Sequence, residues 1–261
     1  MLGKLLKYDL KWMLKIICVF CIIGTIFGVL ARVIEVCTDS LFFDIIVGIF
    51  KGTALSLTIS ALFNSVIRAW VRLGNNMYKD ESYLTNTLPI PRSTHYLSKC
   101  LSGLICVFLS AIVILINVFI MYYSKENMEM LKQALNLVST SLDSSVAGVI
   151  FVMIVVIILE VLFLVFCGFF GVVLGHRFNE KKSLKSLLFG LMIYGIFSIV
   201  SLVIMLIASL FSSELRNLLF NSTQVMDMSL FIYILWGCAI VYFVYCVVLY
   251  FITSNLLDKG V

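Results

Sequence analysis

Residues 146–175 read VAGVIFVMIVVIILEVLFLVFCGFFGVVLG, a stretch in which Glu160 is the only charged residue. About 20 apolar residues in a helix are enough to cross a hydrocarbon core about 30 Å thick. Lipid offers the backbone no hydrogen-bond partner, so a segment of this kind must be helical. The stretch therefore predicts a transmembrane helix.

The rest of the chain has the same character. Of its 261 residues 62% are hydrophobic and 13% are charged, with a mean hydropathy of +1.12. A soluble domain carries about 25% charged residues. We predict a single transmembrane domain over residues 1–261, an all-α integral membrane protein, with six spans at about 16–34, 45–67, 100–123, 146–175, 186–211 and 229–253.

The basic residues predict the orientation. An even number of spans returns both termini to the same side, and the segments on that side hold 14 of the 19 Lys and Arg residues but only five of the 14 Asp and Glu residues. Loops rich in Lys and Arg stay in the cytoplasm. The sequence therefore predicts a multi-pass protein of the cell membrane with cytoplasmic N and C termini.

Composition also argues against several classes of protein. Six spans leave only loops and tails outside the membrane, so we expect no separate catalytic domain and no catalytic residue. The net charge of +5 does not favour nucleic-acid binding. His95 and His176 are far apart in sequence, and most of the eight cysteines lie in apolar runs, which disfavours both a metal site and a disulfide framework.

The N-terminus predicts an amphipathic helix over residues 1–15, MLGKLLKYDLKWMLK. Helical spacing places Lys4, Lys7, Lys11 and Lys15 on one face, opposite a leucine-rich face that Asp9 interrupts. We expect an interfacial helix whose lysines meet anionic lipid and whose Trp12 lies at the membrane boundary. The alternative is a basic flank that only orients the first span.

A cytoplasmic segment over residues 68–99 contains both prolines of the chain, Pro89 and Pro91. Gly74 with Asn75 and Asn76 predicts a break in the preceding helix, and a new helix is expected to begin near Pro91 or Ser93. The prolines restrict the residues before them and stiffen this connection. The segment either docks a partner or simply joins two spans.

Part of this segment, ESYLTNTLPIPRSTHYLSKCLSGLI, resembles the loop and third-span entry of six-helix permeases of ATP-binding-cassette exporters. The opening MLGKLLKYDLK resembles the N-terminal helix of that family, and the likeness extends over essentially the whole chain. Pro91 departs from the family pattern, which has a helix-capping Ser or Thr there. The residues that match the family's loop pattern are Glu81, Tyr83, Leu84, Thr87, Leu88, Pro89, Arg92, Ser93, Ser98 and Lys99.

The resemblance implies a permease that couples to a separate ATPase. Residues 80–87 would form a coupling helix received by the ATPase, and the residues assigned to coupling are Asp80, Glu81, Tyr83, Leu84, Thr87, Leu88 and Pro89. The chain has no GxxxxGK[ST] loop, so ATP and Mg²⁺ are expected on the partner and no cofactor is expected in this chain.

The expected assembly contains two cytoplasmic ATPase subunits, a second permease subunit, identical or related, and the lipid bilayer. The expected cargo is amphipathic, such as an antimicrobial peptide, a drug or a lipid-like compound. The alternative from another class is an ATP-independent transporter or an immunity protein that sequesters a toxin.

Three GxxxG pairs predict close helix contacts: Gly24 with Gly28, Gly48 with Gly52, and Gly171 with Gly175. Lys51 and Glu160 are charges inside predicted spans, where each costs about 2.5–3.5 kcal/mol or more. They are expected either to pair with each other or, for Glu160, to contact a cationic substrate. Snorkelling of Lys51 and protonation of Glu160 are the competing explanations. The outer segment 212–224 is expected to form short helices or an ordinary loop.

Overall fold

The computed structural model describes residues 1–37, 40–79, 81–87, 89–130, 133, 146–178, 180–220 and 228–259. Within these ranges every labelled element is a helix, and residues 125–130 are helical as well. The elements are α1 (Leu2–Cys37), α2 (Leu41–Tyr78), α3 (Ser82–Thr87), α4 (Arg92–Tyr122), α5 (Val146–Gly175), α6 (Lys182–Phe211), α7 (Ser213–Phe220) and α8 (Met228–Asp258).

Six of these helices, α1, α2, α4, α5, α6 and α8, are long and apolar enough to cross a membrane. The predictions of an all-α fold and of six helices able to span a membrane are therefore confirmed. Much of each helix is exposed in the isolated chain, and large apolar side chains such as Ile199, Leu210 and Phe251 are exposed on its surface. This is the architecture of a multi-pass membrane protein, in which lipid covers the apolar surface.

The helices pack as two compact units, Met1–Met128 and Glu129–Val261, where the sequence analysis treats the chain as one domain. In unit 1, helices α1, α2 and α4 each pack against the other two, and α3 lies beside α2. In unit 2, α5 packs against both α6 and α8. In each unit the most extensive packing joins two helices that follow one another in the sequence, α1 with α2 and α5 with α6.

The sequence predicts a break in the helix at Gly74, Asn75 and Asn76, and this prediction is wrong. Helix α2 continues without interruption to Tyr78. Gly74 and Asn76 are buried, as are Leu73 and Met77 beside them. Packing against neighbouring helices therefore overrides the weak helix propensity of Gly and Asn. By contrast, α4 begins at Arg92 with Pro91 as its N-cap, where the sequence predicts a helix start.

Helix α1 also differs in extent from the sequence prediction. Residues 2–15 form the first turns of a helix that runs unbroken for 36 residues to Cys37, not a helix separated from the first span. At 1.5 Å per residue α1 is about 54 Å long, well beyond the thickness of a hydrocarbon core. The placement of residues 1–15 at a membrane interface stays a prediction.

Candidate functional site

The best-defined polar site of unit 1 is centred on Asp9. This residue lies on the buried face of α1, only 1% exposed, with Met13 and Ile17 on the following turns. Lys99 of α4 donates to both carboxylate oxygens, over 2.7 and 2.9 Å, and Ser98 donates to one of them over 2.6 Å. Asp9 thus joins the N-terminal helix to the start of α4.

Arg72 of α2 extends this cluster to the segment that precedes α3. Its Nε donates to Asp9 Oδ1 over 2.8 Å, and its Nη1 donates to Glu81 Oε2 over 2.8 Å. Glu81 directly precedes α3 in sequence. A single guanidinium therefore links the short helix to a carboxylate buried between three long helices. We call Asp9, Arg72, Glu81, Ser98 and Lys99 the Asp9 cluster.

The Asp9 cluster balances two carboxylates against two cations. The side chains of Asp9 and Lys99 are 2% and 1% exposed, and that of Arg72 is 11% exposed. Charges this deeply buried persist only when they are paired and hydrogen-bonded, because each has lost its hydration. Removing Asp9 would leave Arg72 and Lys99 without their shared buried carboxylate, whereas the Glu81 side chain is 45% exposed and its pair with Arg72 is partly solvated.

Helix α3 presents its apolar side chains outward. Tyr83 and Leu84 are 79% and 70% exposed. Inside the turn, Thr85 Oγ1 donates to the Glu81 carbonyl over 2.9 Å, and Thr87 Oγ1 donates to the Leu84 carbonyl over 2.8 Å. Both threonine hydroxyls are therefore bonded within this segment, and the tyrosine and leucine side chains are the exposed apolar groups of α3.

The remaining residues that the sequence assigns to coupling are distributed as follows. Glu81 belongs to the Asp9 cluster. Thr87 and Pro89 are exposed, and both are close to Tyr83 and Leu84 in the sequence. Asp80 and Leu88 lie outside the residues that the structure describes. A short helix is present where the resemblance implies a coupling helix.

Sequence reasoning missed the Asp9 cluster itself. In the sequence, Asp9 interrupts an apolar face, Arg72 is one of the cytoplasmic charges, and Lys99 belongs to the family's loop pattern. One signal was present: Asp9 is the only acidic residue of residues 1–15 and lies opposite the four lysines. A carboxylate on the apolar side of a helix needs a buried cation, although the sequence does not say which one.

Lys51 lies in a second charged cluster of unit 1, at the other end of α1. Its Nζ donates to Glu35 Oε1 over 2.7 Å, and Arg32 donates to the other oxygen of Glu35 over 3.0 Å. Arg32 also donates to the Tyr123 carbonyl, and the Lys51 ammonium lies 5.2 Å from the centre of the Tyr122 ring. Lys51 therefore has a partner other than the predicted Glu160, which accounts for its charge inside a helix.

Glu160 lies halfway along α5 with its side chain exposed. Among the described residues no hydrogen bond or ion pair to this carboxyl is found. The side chain continues an outward-facing row formed by Ile150, Met153 and Ile157. It is available to whatever covers this face of α5.

The three glycine pairs have different surroundings. A Cβ on Gly171 would lie 2.6 Å from Gly190 N, and one on Gly175 would lie 2.5 Å from Ser186 Cα, so the backbones of α5 and α6 touch there. A Cβ on Gly24 would lie 2.8 Å from Thr58 Cγ2 of α2, and one on Gly28 would lie 3.3 Å from Asn117 Oδ1 of α4. Gly48 and Gly52 have no other part of the described chain within 4 Å of such a Cβ.

The histidines and cysteines form no evident chemical centre. Among the described residues no three His, Cys, Asp or Glu side chains are grouped as metal ligands, and all eight cysteines are free thiols. His95 is buried in α4, and His176 follows the end of α5.

Comparison with protein-family models, with curated proteins and with solved structures gave no match to this chain. The functional interpretation therefore depends on the geometry of the chain and on the motif resemblance. In this arrangement Arg72 connects Glu81, at the start of a short helix with an exposed tyrosine and leucine, to a buried carboxylate among three long helices.

Proposed function

We propose that this chain is the permease subunit of an ATP-binding-cassette transporter whose ATPase is a separate polypeptide. The observation that carries the proposal is the Arg72 bridge, which connects Glu81, at the start of α3, to the buried carboxylate of Asp9. In such a transporter α3 is the coupling helix, and it docks in a cleft of the ATPase through Tyr83 and Leu84. Both termini and α3 face the cytoplasm.

The Asp9 cluster would transmit the motion of α3. ATP binding draws two ATPase subunits together, and a docked α3 moves with its subunit. Because Arg72 holds both Glu81 and Asp9, the displacement reaches α1, α2 and α4 together. Packed helices change between discrete arrangements and do not deform continuously, so a small shift is sufficient to favour a second packing. A second permease subunit completes the pathway, and the cargo is an amphipathic compound that is exported.

Copurification with the ATPase tests this proposal. We expect an ATP-hydrolysing subunit to copurify with the intact chain and to be lost when Tyr83 or Leu84 is changed to Glu. These side chains are exposed, so the substitutions should leave the fold intact. Tyr233→Glu is the matched control, because Tyr233 is 77% exposed but lies at the start of α8, on the predicted outer side. Loss of the ATPase from Tyr233→Glu, with the ATPase retained by the Tyr83 and Leu84 variants, would contradict the proposal. Normal transport driven by an ion gradient without ATP would also contradict it and would favour an ATP-independent protein.

Glu81→Gln separates docking from transmission. The substitution keeps the shape of the side chain but removes the charge that Arg72 holds. We expect the ATPase still to copurify and to hydrolyse ATP, while transport per ATP falls about tenfold, as for the loss of a charge-assisted hydrogen bond. Unchanged transport would show that the Arg72 bridge does not transmit the motion.

Glu160 is the proposed contact for a cationic part of the substrate. Its support is the exposure of this carboxyl in the middle of an apolar helix. Glu160→Gln should leave assembly with the ATPase intact and impair transport of a cationic substrate more than that of a neutral one. Equal transport of both by the variant would remove Glu160 from the pathway.

A further inference from the structure

The apolar parts of α1 and α2 end at the same level. In α1 the run that follows Lys15 begins at Ile16, and in α2 the apolar run ends at Ile67, before Arg68. Arg68 Nη2 donates to the Trp12 carbonyl over 2.7 Å, which places the two boundaries side by side. A polar and aromatic surface at such a boundary meets lipid headgroups.

Arg68 differs from its neighbour Arg72 in having no carboxylate partner. Among the described residues no acidic group lies within ion-pair distance of Arg68, whereas Arg72 binds both Asp9 and Glu81. The Arg68 guanidinium is stacked on the Trp12 ring, with its carbon 4.1 Å from the ring centre, and its buried Nε has no hydrogen-bond partner. A half-buried guanidinium that is held in one orientation is suited to a phosphate group.

Lys15 adds a second cation on the same side. All four lysines of residues 1–15 are exposed, and helical geometry places Lys15 only about 60° around α1 from Trp12 and about 4.5 Å further along it. The one acidic residue of this segment, Asp9, is occupied by Arg72 and Lys99. The positive charge of Lys15 and Arg68 is therefore not balanced by Asp9.

We propose that Arg68, Trp12 and Lys15 form a binding site for the headgroup of an anionic phospholipid of the cytoplasmic leaflet. The guanidinium and the ammonium hold the phosphodiester, and the Trp12 ring fixes the guanidinium in place. The acyl chains continue along exposed apolar residues of α1, Ile16 and Val19, which are 40% and 51% exposed. These apolar neighbours favour a lipid over soluble phosphate. The site does not depend on the proposed transport function.

Quenching of Trp12 by brominated lipid tests the proposal. The full chain carrying Trp70→Phe and Trp236→Phe, with Trp12 as its only tryptophan, is placed in nanodiscs that contain equal fractions of phosphatidylglycerol and phosphatidylcholine. One of the two lipids is brominated in each sample. We expect brominated phosphatidylglycerol to quench Trp12 more strongly, and Arg68→Gln or Lys15→Gln each to lower that preference about fivefold. Lys15→Gln is the safer variant for folding, because Lys15 is exposed.

Lys4→Gln is the matched control, because it removes the same charge from the same lysine face about 12 Å from Trp12 along the helix. It should lower the preference by less than Lys15→Gln does, because Lys4 lies further from Trp12. Equal quenching by the two lipids in the parent chain, or an equal loss in Lys4→Gln and Lys15→Gln, would overturn the proposal. Removal of the preference by inorganic phosphate, but not by sodium chloride of the same ionic strength, would assign the site to soluble phosphate and would also overturn the lipid assignment.

Discussion

All the ion pairs among the described residues lie in unit 1, and the described part of unit 2 is held instead by aromatic rings and closely packed backbones. In unit 1 the Asp9 cluster and the Arg32–Glu35–Lys51 cluster connect the helices near opposite ends of α1. In unit 2 the Phe163 ring lies 5.5–5.8 Å from the rings of Tyr194, Phe197, Tyr242 and Tyr245.

The difference agrees with the parts that the two units are proposed to play. Charged contacts are directional and are lost when partners separate, so they suit a unit that receives a displacement at Glu81. Aromatic rings and glycine contacts depend mainly on shape, and in lipid they supply the close packing that apolar burial supplies in water. Unit 1 carries the candidate coupling site, while unit 2 carries the exposed carboxyl of Glu160. Four substitutions test this comparison.

The largest expected effect is that of Asp9→Asn. It leaves Arg72 and Lys99 without their shared carboxylate in a buried site, and the free energy of unfolding should fall by about 3–5 kcal/mol. Reversible unfolding of the chain in detergent or bicelles measures this change. Asp44→Asn is the control, since Asp44 is exposed at the start of α2. A loss below 1 kcal/mol in Asp9→Asn would mean that the Asp9 cluster does not stabilise unit 1.

Gly175→Ala should have the next largest effect. Its added methyl group would overlap the backbone of Ser186, so α5 and α6 must separate, at a cost of about 1–3 kcal/mol. Gly52→Ala is the matched control, because nothing else in the described chain lies within 4 Å of its Cβ position, and its effect should stay within about 0.5 kcal/mol. The same unfolding measurement compares the two. The contrary result is that Gly52→Ala lowers the free energy of unfolding as much as Gly175→Ala does, but only at high protein concentration. That result would instead place the α2 glycines between subunits.

Lys51→Met should cost less than about 1 kcal/mol. Its pair with Glu35 is partly exposed, and Arg32 remains to neutralise the carboxylate. Unfolding measured at low and high salt should show that the difference between parent and variant shrinks as salt rises. A loss comparable to that of Asp9→Asn would show that the two charged clusters of unit 1 contribute equally, contrary to their different burial.

Tyr245→Phe is expected to have the smallest effect. It removes only the hydrogen bond between the Tyr245 and Ser201 hydroxyls, 3.0 Å apart, and keeps the ring contacts. Hydrogen bonds of this kind between spanning helices contribute about 0.6 kcal/mol. Unfolding of Tyr245→Phe beside Tyr245→Ala separates the two contributions, because the alanine also removes the ring from the Phe163 cluster. Equal losses in the two variants would mean that the hydroxyl, not the ring, holds unit 2 together.

The sequence predicts the six long helices well because apolar length alone identifies a span, and no tertiary contact is needed. It fails at Gly74–Asn76 because buried packing around Leu73 and Met77 maintains a helix that local propensity would end. The partners of Asp9 are 63 and 90 residues away in sequence, so no local pattern connects them. Lys51 illustrates the same limit: its partner, Glu35, lies 16 residues away on another helix, and no local pattern in the sequence connects the two.

Photo-crosslinking at position 83 tests the central claim most directly. A photoreactive phenylalanine analogue replaces Tyr83 in cells that naturally make this protein, and Tyr233 is replaced in the same way in a parallel culture. We expect position 83 to crosslink to a protein whose peptides include a GxxxxGK[ST] phosphate-binding loop, and position 233 not to do so. Crosslinks from position 83 only to lipid, or access of an impermeant thiol reagent to a cysteine placed at position 83 from outside the cell, would contradict the account.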